Sequence, residues 1–116
     1  MAIEDEIWSI ERGFWVEGEE FYRQRLAMPC TMVFPYPVGI LRDRAVIDAL
    51  GGVPRWRDVE MTHQVCVRPN DECLLLAYEA TAQREGEPPY SVLCGSTYCF
   101  TDSDWRLVQH QHTPLS

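Results

Sequence analysis

Three imidazoles in this chain can exchange a proton near neutral pH: His63, His110 and His112. Two of them sit in Trp105-Arg106-Leu107-Val108-Gln109-His110-Gln111-His112-Thr113-Pro114. This run reads as a β-strand, and the i, i+2 spacing of His110 and His112 puts both on one face. Either could serve as a general base, since an unperturbed imidazole titrates near neutrality. The plainer use is hydrogen bonding to polar neighbours and solvent at a pocket mouth. The pair also suits two ligands of one metal ion, with His63 as a third. No Asp or Glu sits at a telling spacing, and the last strand alone cannot complete a site. Neither a metal nor a cofactor is therefore expected.

Glu79 stands mid-strand between apolar residues, where an ionised carboxylate is costly without a partner. Facing inward it would be an acid–base group with a raised pKa. Facing outward it would pair with an Arg across a dimer, and the outward position is preferred. Five cysteines, Cys30, Cys66, Cys73, Cys94 and Cys99, are an odd number with no C-x-x-C pair. That spacing fits buried free thiols in a reducing cytosol better than disulfides or a thiolate metal site.

The elements that must hold these groups follow from length and pattern. With 116 residues, the chain reads as one globular domain over 1–116 with room for a hydrophobic core. Its net charge of −8 excludes a nucleic-acid backbone as partner, because cationic side chains must there replace counterions. All ten cationic residues are Arg, as in a GC-rich bacterial genome. No apolar run is long enough for a bilayer, and Met1-Ala2-Ile3-Glu4-Asp5-Glu6 lacks a basic leader pattern. The expected location is cytoplasmic, with no membrane contact.

Ile3, Ile7, Ile10 and Phe14 recur at helical spacing, flanked by Trp8, Glu11 and Trp15. Gly18 breaks the pattern. A second helix should carry Phe21, Tyr22 and Leu26 on its apolar side and end at Pro29. The acidic residues Glu4, Asp5, Glu6, Glu11, Glu17, Glu19 and Glu20 read as a solvated helix face. Thr31-Met32-Val33-Phe34 reads as a strand and Pro35-Tyr36-Pro37-Val38-Gly39 as a rigid loop. Asp43 is a candidate N-cap for a third helix that stops at Gly51-Gly52.

Four strands follow. Val59-Met61-His63-Val65-Val67 alternates, and further strands span about 73–84, 90–100 and 105–114, joined by tight turns that force antiparallel neighbours. Helices first and a meander second predict an α+β domain, with about three helices packed on a curved, mostly antiparallel sheet. Cys73, Leu75 and Ala77 alternate with Leu74, Leu76 and Tyr78, so this strand is apolar on both faces. Helices can cover only one face, which predicts a homodimer through the other, convex face.

Phe21-Tyr22, Thr31-Met32-Val33-Phe34-Pro35, the helix after Asp43, Pro54-Arg55-Trp56 and Trp105-Arg106-Leu107-Val108 together resemble the nuclear-transport-factor-2-like superfamily. Ketosteroid isomerase and SnoaL-like cyclases share its cone-shaped, cystatin-like fold. The resemblance covers nearly the whole chain and implies a pocket for a small apolar molecule between the helices and the concave sheet face. Ketosteroid isomerase works with a carboxylate base, a Tyr and a protonated Asp. On the matching motif Tyr36 stands where the base would be, Glu11 falls near the Tyr, and Ser96 falls near the protonated Asp. The isomerase residues are thus not retained.

The same alignment turns Cys94, Ser96 and Tyr98 inward together with Val108, His110 and His112. It leaves Trp105, Leu107 and Gln109 on the opposite face. Trp15, Tyr22, Phe34, Trp56 and Tyr78 complete the expected lining, with Tyr36 at the rim. The leading reading is a small-molecule-binding domain. One alternative is an isomerase, cyclase or dehydratase acting next to a carbonyl, with His110 or His112 as base and Tyr36 or Ser96 polarising the oxygen. The other is a structural dimerisation module.

Overall fold

The computed structural model describes residues 3–115. Helices α1 (Ile3–Val16) and α2 (Glu19–Arg25) lead into strands β1 (Leu26–Val33) and β2 (Ile40–Arg42) and the short helix α3 (Arg44–Asp48). The meander β3 (Asp58–Asn70), β4 (Cys73–Gln83), β5 (Tyr90–Thr101) and β6 (Asp104–Pro114) follows. The six strands form one sheet in the order β2-β1-β6-β5-β4-β3. Among the described residues, only the β1–β6 pair is parallel. The expected α+β architecture, with helices packed on one face of a curved sheet, is the one observed.

The expected stripe Ile7, Ile10 and Phe14 is buried, while Glu4, Asp5 and Glu6 occupy the first turn of α1, where the helix dipole favours them. These apolar side chains join Leu74, Leu76 and Tyr78 of β4, Val92 and Tyr98 of β5 and Leu107 of β6 in one core. Gly13 lets α2 fold back closely. A Cβ there would lie 2.2 Å from the Phe21 ring, a separation no side chain tolerates.

Several boundaries differ from the reading of the sequence. Helix α2 stops at Arg25, and Leu26 already belongs to β1. Pro29 therefore lies inside a strand, in a stretch where the pairing with β6 shifts register, a position that tolerates a residue without an N–H. The loop 35–39 is present, but it closes a hairpin with β2, whose three residues are too few for a visible alternation. Asp43 precedes α3 without capping it. Its Oδ1 instead accepts the backbone N–H of Cys30 at 3.0 Å, tying the helix start to β1.

Two bulges reverse the side-chain phase. In β3, Thr62 and Val65 oppose Glu79 and Ala77, so one extra residue is inserted next to His63, whose φ is +52°. Val59 and Met61 then pack inward, but Val65 and Val67 turn to the outer face with Leu75. In β6, Gln109 opposes Thr97 while Leu107 opposes Tyr98, leaving Val108 unmatched. Trp105 and Leu107 are consequently buried on the same side as His110 and His112. The expected inward Val108 and outward Trp105 and Leu107 are thereby corrected.

Candidate functional site

A cavity of about 380 Å³ opens between the helices and the concave face of the sheet. Trp15 of α1, Tyr22 of α2, the segment 34–38, Trp56, Tyr90 of β5 and His110 and His112 of β6 contribute to its wall. Trp15 stacks on the His112 imidazole, with ring centres 4.8 Å apart and planes 8° from parallel. Phe34 meets the same imidazole edge-on at 4.7 Å. Trp56 stacks on Tyr90 at 5.3 Å, and the Arg84 guanidinium lies 3.8 Å above Trp56. Flat aromatic surfaces thus frame a narrow space with His112 at its base.

The wall is fixed by α1's carboxyl end. That helix has no basic residue in its last turn, and Arg55 supplies the missing charge from outside. Its guanidinium donates to the carbonyls of Phe14 at 2.6 Å, Trp15 at 2.8 Å and Glu17 at 2.8 Å. It also donates to the Tyr22 hydroxyl at 3.2 Å, and that hydroxyl donates to Phe14 O at 2.5 Å.

Beneath the cavity lies a polar cluster centred on Glu11, which is fully buried. Tyr98 donates to Glu11 Oε1 at 2.7 Å, Ser96 donates to Oε2 at 2.6 Å, and Tyr78 donates to Oε2 as well. Trp15 Nε1 in turn donates to the Tyr78 hydroxyl at 3.0 Å. Ser96 spends its only proton on Glu11, so its oxygen accepts from His110 Nδ1 at 2.6 Å. His110 Nε2 and His112 Nε2 are 2.7 Å apart, and His112 Nδ1 meets the Tyr90 hydroxyl at 3.1 Å. A continuous hydrogen-bonded chain therefore runs from Tyr90 at the cavity to Glu11 under it, and Ser96 as acceptor fixes a proton on His110 Nδ1.

Burial pushes the Glu11 carboxyl up. The hydrogen bond and charge of His110, with the hydroxyls of Ser96 and Tyr78, outweigh it and hold the group below its ordinary value. Burial, and then the Glu11 charge, pushes Tyr78 and Tyr98 well up, so both remain hydroxyl donors. Burial and the neighbouring His110 push His112 down to about 2, which leaves it a neutral imidazole. Burial and the Glu11 charge push the Cys94 thiol up to about 12.

Of the residues expected to line a pocket, Trp15, Tyr22, Phe34, Tyr36, Trp56, His110 and His112 do so, and Tyr36 stands at the rim, 93% exposed. Tyr78, Ser96 and Tyr98 lie below the wall, around Glu11. Cys94 is buried beside the histidines, and Val108 sits in the bulge away from the cavity. His63 is exposed and does not approach the other two histidines. It stands 3.9 Å from Glu79 on the outer surface, which removes Glu79 from the cavity.

Charge patterning reads Glu11 as part of a solvated helix face, although the family resemblance puts it near the isomerase Tyr; the structure buries it completely, and this is the main correction. Its i−4 and i+4 neighbours are Ile7 and Trp15, both buried, so helical spacing alone could have placed the carboxylate inward. Arg55 lies in a stretch that carries the family resemblance, but nothing in the sequence gives it, Tyr90 or Arg84 a place at the cavity.

No protein-family model and no curated protein matches the chain. Solved structures do resemble it. An NTF2-like protein from Cytophaga hutchinsonii superposes with a TM-score of 0.80 at 14% identity, covering 99% of this chain and 100% of that one. A protein of unknown function with a cystatin-like fold from Nostoc punctiforme gives 0.78 at 16%, covering 99% and 93%. The association domain of C. elegans CaMKII gives 0.76 at 13%, covering 96% and 92%. At such identities the likeness is one of fold, and the fold is nuclear-transport-factor-2-like.

Proposed function

We propose that this protein binds a small, flat, largely apolar molecule in the cavity, with one oxygen or nitrogen of the ligand directed at His112 or Tyr90. The observation that carries this reading is the frame of Trp15, Phe34, Trp56 and Tyr90 around the paired imidazoles of His110 and His112. Aromatic faces take planar apolar ligands, and a few convergent polar groups fix their orientation. The volume of about 380 Å³ suits a molecule of one to three rings.

The test is ligand-dependent thermal stabilisation, together with native mass spectrometry of freshly purified protein. A binder of the folded state raises the melting temperature, and the rise continues with the logarithm of ligand concentration beyond saturation. A library of planar carbonyl and hydroxyl compounds that moved neither the melting temperature nor the Trp fluorescence would sink the proposal. So would a shift that survives intact in Trp15→Ala.

A second reading, acid–base chemistry beside a carbonyl with His110 as base, is favoured by the chain linking Tyr90 to Glu11; burial takes His112 out of that role. In it Ser96 is not the polarising group, because its proton is committed to Glu11, and Tyr36 stands too far out at the rim. Tyr90 takes that part by turning its hydroxyl proton from His112 Nδ1 to the substrate oxygen.

Self-association is the remaining part of the proposal. Val65, Val67, Leu75 and Leu93 leave the outer sheet face 38–50% exposed at apolar side chains, a liability that a second copy would cover. The likeness to an association domain supports assembly through this fold. The five free thiols, Cys30, Cys66, Cys73, Cys94 and Cys99, support residence in a reducing compartment such as the cytoplasm.

A further inference from the structure

We infer that Cys94, His110 and His112 form a site for a zinc-type divalent cation, with its fourth coordination position open to the cavity. The pairing of β5 with β6 assembles it. Cys94 lies directly opposite His112, and Ser96 directly opposite His110, all on the inner face. The Cys94 Sγ and one nitrogen from each imidazole lie within 4.8 Å of one another. Reading along a single strand finds only the two histidines; the third ligand comes from the neighbouring strand.

Both imidazoles are already presented as metal ligands are. A ligating His usually gives its other nitrogen to a hydrogen-bond partner, which fixes the tautomer and aims the free nitrogen. His110 Nδ1 is held by Ser96, itself anchored on Glu11, and His112 Nδ1 is held by Tyr90. The two Nε2 atoms are therefore directed at each other, 2.7 Å apart, with one proton between them. On cation binding that proton moves to His112 Nδ1, where the Tyr90 hydroxyl turns to accept it, so both imidazoles stay neutral and both Nε2 lone pairs face the metal.

Tetrahedral zinc with Zn–N bonds of about 2.0–2.1 Å needs a separation of about 3.3 Å, so the rings must part by roughly half an ångström. The Cys94 thiol loses its proton to solvent as the Zn–S bond forms, and the buried carboxylate of Glu11, one hydroxyl away, offsets part of the cation's charge. Two imidazoles and a thiolate with an open position form a donor set that zinc accepts.

The experiment titrates reduced protein with Co(II) and then Zn(II), each metal alone, with no cavity ligand present. A tetrahedral cobalt spectrum with thiolate-to-metal charge-transfer absorption is expected, and Zn(II) should bleach it at one equivalent. Cys94→Ala should remove the charge-transfer band, and His112→Gln, which deletes a ligand, should weaken Zn(II) binding by more than Ser96→Ala does, in competition with a chromophoric chelator. Ser96→Ala, which frees the His110 ring, should weaken it about tenfold. Wild type that binds no cobalt overturns the site. So does a charge-transfer band that persists in Cys94→Ala, since Cys30, Cys66, Cys73 and Cys99 would then be its source. Circular dichroism of each variant guards against loss of fold, and the wild-type spectrum tests the site without any substitution.

Discussion

Glu11 Oε2 lies 3.4 Å from His110 Nδ1, with both side chains buried and the Ser96 hydroxyl bonded to each. A carboxylate with no exposure survives in this core because three hydroxyls and an imidazole surround it. The arrangement organises the site from below: it orients His110, which meets His112, which meets the aromatic frame. Burying such a cluster adds little net stability over an apolar core, but breaking it is costly.

Glu11→Ala should therefore destabilise the fold by about 3–5 kcal/mol, because Tyr78, Ser96, Tyr98 and His110 would lose a common acceptor in a dry interior. Glu11→Gln keeps the shape and one acceptor oxygen, so its loss should be clearly smaller. Urea denaturation of the two variants checks the order. Equal losses would mean that the volume of residue 11, and not its charge, matters.

The β6 bulge makes an equally direct prediction. Leu107 is wholly buried opposite Tyr98, whereas Val108 is the extra, half-buried residue. Leu107→Ala should cost about 2–5 kcal/mol, and Val108→Ala within about 1 kcal/mol. The opposite ranking would place the bulge elsewhere and turn Leu107 outward.

This is also where legibility stops. The helices, the meander and the two-faced β4 were readable, because their periods of 3.6 and 2 run unbroken through Ile7, Ile10 and Phe14 and through Leu74, Leu76 and Tyr78. A bulge leaves both flanking stretches alternating correctly and changes only their relative phase. Nothing in Val59-Met61-His63-Val65-Val67 records that the chain turns over at His63. The inward direction of His110 and His112 came from alignment to a fold, while the phase of Trp105 and Leu107 depended on pairing with β5. Glu11 is legible by spacing, but the acidic residues Glu4, Asp5 and Glu6 on the same helix point to a solvated face. Cys94 joined the histidines only through strand pairing.

The contact between Gly13 and Phe21 predicts a reversal of sign. Gly13→Ala gains about 1 kcal/mol of helix propensity and loses more by driving a methyl into a ring packed edge-on against Phe14. The single variant should be less stable than wild type. In a Phe21→Leu background the clash is relieved, and the same substitution should become stabilising. A thermal double-mutant cycle measures the coupling; additivity would show that the ring moves aside freely.

Asp43 sets a pH dependence. The Cys30 backbone N–H, helped by Arg42, holds its carboxyl below the ordinary value of 3.8 against the opposing effect of burial. A lowered folded-state pKa means that the contribution is fully present above the unfolded-state value and is lost as pH falls through the folded one. Asp43→Asn keeps an oxygen for Cys30 but cannot ionise. The stability gap between it and wild type should thus be constant above about pH 5 and shrink in acid. Urea midpoints across that range decide it, and a gap that widened in acid would assign the effect to another group.

The outer sheet face carries the last prediction. Val67 and Leu75 are cross-strand partners on β3 and β4, and their side chains stand side by side with no helix above them. A charged residue here changes nothing inside the cone, since Leu74, Leu76 and the cavity lie on the other face. Leu75→Arg should leave the fold and the response to a cavity ligand intact while shifting the sedimentation of the protein from dimer to monomer. Val67→Arg should do the same from the neighbouring strand. Were wild type a monomer at micromolar concentration, or both variants still dimeric, this face would be simply exposed or the interface would lie elsewhere. The outward turn of Val65 and Val67 at the β3 bulge is what makes the patch continuous from β3 to Leu93 on β5. A Val65→Arg variant should therefore weaken the dimer as well, although alternation from Val59 would put that residue in the core.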